Sequence, residues 1–118
     1  MVKNIIEEKK LSIPEVKEIL DKVYARMEKL QTPIDPFTEA SMEYTHDFAK
    51  MPAKTARQII IMLMKEYGME ESYAIQIVNI DPQYPQEIKV ILEKDPALRN
   101  LSTEKLTEMI EKIRDLQI

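Results

Sequence analysis

Residues 65–82 read KEYGMEESYAIQIVNIDP and hold the only glycine among 118 residues. Just upstream, Ile59 to Met64 (IIIMLM) is apolar all round, the signature of a buried central helix. Such a helix needs a stop, and Gly68 supplies the left-handed conformation that ends one. Met69 can fold back onto the preceding turn, while Glu70 and Glu71 put negative charge where it complements the next helix's macrodipole. Ala74, Ile77 and Val78 give that next helix, over 70–80, its inward face, and Asp81 with Pro82 closes it. The junction is scaffold chemistry: helix, stop, helix.

Toward the N-terminus, Pro52 opens the helix that Gly68 ends, with Ala56, Ile59, Ile60, Leu63 and Tyr67 inward. Phe37, Ala40, Ser41, Tyr44, Phe48 and Met51 form the stripe of the preceding helix, for which Asp35 is the cap and Pro36 the first residue. Ser12 and Glu15 make an S-x-x-E capping box, with Leu11 and Val16 spaced as a hydrophobic staple. Val16, Ile19, Leu20, Val23, Met27 and Leu30 continue that helix as one apolar stripe until Pro33 and Pro36 stop it. Toward the C-terminus, residues 85–94 make a short helix on Ile88, Ile91 and Leu92. Ser102 caps a last helix carrying Leu106, Met109, Ile110, Ile113 and Leu116. Residues 2–11, with Val2, Ile5, Ile6 and Leu11 among charges, read as a short edge strand. No second strand follows, so its backbone groups require another sheet. The expected class is mainly α: a short N-terminal strand and helix, then a compact multi-helix bundle. The proline-flanked turn at 31–36 divides the chain into 1–34 and 35–118.

Composition narrows the function. At 44% hydrophobic and 32% charged residues the chain is neither disordered nor membrane-like, and no apolar run approaches the roughly 20 residues of a span. The first ten residues lack an apolar signal region, so the cytoplasm is the expected compartment. With no cysteine there is no thiol nucleophile, and His46, the one histidine, has no base or nucleophile converging on it. A single glycine rules out a phosphate-binding loop. The carboxylates lie beside lysines on helix exteriors, as a solvated face does, so no metal, cofactor or small-molecule substrate is expected. The net charge of -4 is spread evenly, and a pI near 5.1 is far from that of a dedicated nucleic-acid binder. Lys54 and Arg57, three apart at the start of the third helix, are the one candidate phosphate contact. Met27, Met51 and Met109 fall on apolar stripes, as core-filling methionines do.

A surplus remains. The first helix carries a long apolar stripe, is separated from the bundle by a proline turn, and follows an unpaired strand. Two readings fit equally. Either both elements pack on this chain's own bundle, or they are contributed to another protein, the strand to its sheet and the helix to its surface.

Four segments bear on that choice through a resemblance. The opening IIEEKKLSIPEVKEIL (5–20) resembles that of the F-type stalk subunits of archaeal RNA polymerase, counterparts of the fourth-largest subunit of the eukaryotic nuclear polymerase. Glu8, Leu11, Ser12, Glu15, Glu18 and Ile19 carry the likeness there. MEYTHDFAK (42–50) is similar to the family's aromatic-x-x-x-Phe-Ala-Lys helix end, through Tyr44, Phe48, Ala49 and Lys50. Gly68, Met69, Glu70, Glu71, Ala74, Ile77, Ile80 and Pro82 match the next junction, and MIEKIRDLQI resembles the family's close. Lys10 departs from the pattern, standing where the family has an aromatic residue.

The resemblance implies a non-catalytic stalk subunit that pairs as a heterodimer with the polymerase's E-type subunit. Residues 1–34 would clasp that partner through Val2, Ile5, Ile6, Leu11, Ile13, Val16, Ile19, Leu20, Val23 and Met27. Residues 35–118 would form a bundle like the helical domain of some helicases and ribonuclease D (HRDC-like). The E-type subunit would carry most of the RNA contact, and the pair would support promoter opening and transcript handling. The alternative is a free-standing nucleic-acid-binding module of the same helical type, acting through Lys54 and Arg57.

Overall fold

In the computed structural model, which describes residues 10–118, the glycine ends a helix as its position requires. Gly68 has φ 63° and its N–H reaches the Leu63 carbonyl, which also receives the Met69 amide at 3.4 Å. The Met69 side chain is buried as part of the core. Six helices run in order: α1 Ile13–Lys29, α2 Pro36–Phe48, α3 Ala53–Tyr67, α4 Glu71–Ile80, α5 Pro85–Leu92 and α6 Thr103–Gln117. There is no strand among the described residues. The strand expected over 2–11 lies outside them, apart from Lys10 and Leu11, which take no regular structure.

Each boundary has a local cause. At α1 the Glu15 carboxylate reaches back to accept from the Ser12 backbone N–H at 3.0 Å and its hydroxyl at 2.9 Å. Asp35 caps α2 by accepting from the Thr38 amide at 2.8 Å, with Pro36 in the first turn. Ser102 caps α6 through the Lys105 amide at 3.2 Å. Asp81 ends α4 in the left-handed region at φ 51°, a conformation that a short carbonyl-bearing side chain tolerates. Buried Asp95 holds the turn after α5, accepting from the amides of Ala97 and Leu98.

The apolar core belongs to α3–α6. Ile59, Ile60 and Leu63 meet Ala74, Ile77 and Val78 of α4, Ile88 and Leu92 of α5, Leu98, and Leu106, Met109, Ile110 and Ile113 of α6. α3 is central, packing on α1, α4 and α6. By contrast, α2 packs chiefly against α1, and the two contribute no residue to that core. The only buried residues of α1 are Pro14 and Glu15, and of α2 only Thr45. Of the three methionines read as core fillers, Met109 is buried, Met51 packs on the core's edge, and Met27 is half-buried on α1.

Candidate partner interface

The foot of α1 is held by polar groups drawn from four places in the chain. Arg57, on the first turns of α3, donates from Nε to Glu15 Oε2 at 2.8 Å and from Nη2 to Glu15 Oε1 at 2.7 Å. Its Nη1 donates to Glu71 Oε2 at 3.2 Å, at the start of α4, and Nη2 also reaches the Lys10 carbonyl at 3.1 Å. The fork is the two-bond geometry that guanidinium and carboxylate share. Beside it the Ile13 amide, one of the orphan donors of the helix start, donates to the Asn79 side-chain oxygen at 2.8 Å. Ser12 is fully buried beneath this cluster, and among the described residues no buried side-chain polar atom lacks a partner.

The charges reinforce one another. Burial pushes the Glu15 carboxyl up, but the hydrogen bonds from Arg57 and Ser12 more than offset it and leave it below its ordinary value. Arg57 is raised, first by its hydrogen bonds to Glu15. One guanidinium between two carboxylates satisfies itself and leaves a net negative site. Arg57, a candidate phosphate contact on sequence grounds, thus has donors engaged within the chain. Lys54 is exposed one turn earlier and makes no ion pair among the described residues.

Away from its foot, α1 offers apolar surface. Ile19 is 48% exposed and Leu30 67%, while Leu20, Val23 and Met27 are half-buried. Ile13 and Val16 line a groove of about 380 Å³ with Phe37, Ala40, Ser41, Tyr44 and Thr45 of α2. Leu11 and Ile19 border a second hollow shared with Glu15, Ala53, Lys54 and Arg57, so the two sets of candidate residues adjoin. Val2, Ile5 and Ile6 lie outside the described residues.

Sequence reasoning overlooked the aromatic face of α2. Phe37 is 81% exposed, Tyr44 54% and Phe48 48%, and the Tyr44 and Phe48 rings pack at a 33° tilt with centroids 4.6 Å apart. Their helical spacing was visible, but spacing alone marks a stripe without saying what covers it. His46 is exposed on the same helix. Among the described residues no cluster of His, Asp or Glu is placed to hold a metal, and no helix is long and apolar enough to cross a membrane. What this surface can do is bury apolar and aromatic side chains against another surface.

In comparisons with known proteins, the family model described as RNA polymerase Rpb4 matches residues 10–117. No curated protein matches the chain.

Proposed function

The chain belongs to the RNA polymerase Rpb4 family, which makes it a non-catalytic subunit of RNA polymerase, and on that premise we propose that it pairs with the polymerase's E-type stalk subunit. The observation that carries the pairing is the α1 stripe: it supplies nothing to the chain's own core and leaves Ile19 and Leu30 in water. Residues 1–34 act as the clasp. Val2, Ile5, Ile6 and Leu11 add a strand to the partner's sheet, and Ile13, Val16, Ile19, Leu20, Val23 and Met27 lay the helix on it. Residues 35–118 form the HRDC-like portion. In the cytoplasm the pair supports promoter opening and guides the emerging transcript, with RNA contacted mainly through the E-type partner.

Deleting residues 1–13 tests the clasp. Co-expressed with the E-type partner, the truncated chain should no longer co-purify, while its circular dichroism stays helical. Undiminished co-purification would overturn the clasp. The alternative, direct nucleic-acid binding by Lys54 and Arg57, predicts salt-steep binding of a single-stranded probe by the chain alone. Arg57 is already engaged by two carboxylates, which favours the clasp.

A further inference from the structure

α1 and α2 form an arm whose attachment to the bundle is unusual in kind. Helices of a domain normally join by burying apolar stripes against one another. Here the stripe of α1 borders α2, the start of α3 and solvent without being buried, and the two buried residues of α1, Pro14 and Glu15, both lie in its first turn. At that foot Glu15 meets α3 through Arg57, Arg57 meets α4 through Glu71, and the Ile13 amide meets α4 through Asn79. The covalent attachment of this arm to the bundle is the short connection 49–52 between α2 and α3. Because α2 packs chiefly on α1, a rotation of α1 about its foot carries α2 with it.

From this we infer that the Glu15–Arg57–Glu71 clip, with Asn79, sets the angle at which the α1–α2 arm leaves the bundle, and that Arg57 is a positioning residue for the partner-binding face. A planar guanidinium forked onto Glu15 and bonded to Glu71 defines direction as well as distance, which a lysine ammonium does not. The clip leaves the α3–α6 core untouched, since none of its members belongs to it. Loss of the clip therefore frees the angle and preserves the bundle. This role rests on the pairing proposed above only for its consequence in binding; the geometry of the isolated chain stands apart from it.

The chain has no cysteine, so a label pair can be introduced without background. Ala25→Cys on α1 and Thr107→Cys on α6, both exposed, report the arm-to-bundle distance by pulsed electron–electron resonance. The labelled parent should give one narrow distance distribution. Arg57→Ala and Arg57→Lys should each broaden and shift it, whereas Arg114→Ala on the exposed side of α6 should leave it unchanged. Cooperative unfolding of the bundle should persist in all of them. With the E-type partner as the probe, affinity should fall by about tenfold if a tenth of the variant molecules hold the binding angle. An unchanged distribution in both Arg57 variants overturns the inference. Loss of cooperative unfolding in both overturns it equally, because Arg57 would then hold the core. If the parent does not bind that partner, the pairing fails while the distance measurement still decides the clip.

Discussion

Two isoleucines on different helices should behave as different kinds of residue. Ile60 on α3 is fully buried, whereas Ile19 on α1 keeps 48% of its surface exposed. Ile→Ala deletes three carbons, worth about 2.4 kcal/mol of transfer at ~0.8 each when fully buried. The cavity left between α3 and its neighbours raises the Ile60→Ala cost to about 3–4 kcal/mol. Ile19 has half its surface in water already and leaves no closed cavity, so Ile19→Ala should cost the isolated chain about 1 kcal/mol or less. In a domain near this size the first change lowers Tm by roughly 10–20 °C and the second by a few degrees. Urea unfolding followed by circular dichroism measures both, with m unchanged if the transition stays two-state. Co-purification with the E-type partner should show the reverse ranking per molecule of folded protein, with Ile19→Ala the more harmful. Equal losses of stability at the two positions would refute the division between a core in α3–α6 and an arm outside it.

Three further outcomes follow from particular contacts. Gly68→Ala should cost about 1 kcal/mol in urea unfolding, because φ 63° strains an L side chain although nothing lies within 4 Å of the added Cβ. Ser102→Ala should cost about 1 kcal/mol by removing the acceptor for the Lys105 amide, and Ser102→Asp should recover most of it. Glu15, whose folded pKa lies below the ordinary 4.5, contributes stability that is complete above about pH 4.5 and lost as pH falls through the lower folded value. Amide NMR shifts of α1 should therefore move in that acid window, and Glu15→Gln should abolish the transition while leaving α6 shifts in place.

The helices were legible because their causes are local. Ser12 with Glu15, Asp35 with Pro36, Gly68 and Ser102 are each read within four residues, and each terminates or starts a helix where expected. The fifth helix is shorter than its apolar pattern suggested, ending at Leu92, because the Asp95 turn takes over the chain. Periodicity also named the inward faces of α3, α4 and α6 correctly, since these helices find one another. For α1 and α2 the same signal was silent about destination: an apolar stripe looks identical whether its cover comes from its own chain or another.

What the sequence determined by itself is the succession of capped helices, the central place of the third helix (although Ile61 and Met64 of its apolar run are exposed), the absence of thiol and phosphate-loop chemistry, and a likeness to one family of polymerase subunits. Only the tertiary structure decided that α2 joins α1 rather than the core, that Phe37, Tyr44 and Phe48 face outward, and that Arg57 is spent on Glu15 and Glu71. The physical reason is separation along the chain. Glu15 and Arg57 stand 42 residues apart and Ile13 and Asn79 stand 66 apart, and no local pattern records which side chains meet once the helices have packed.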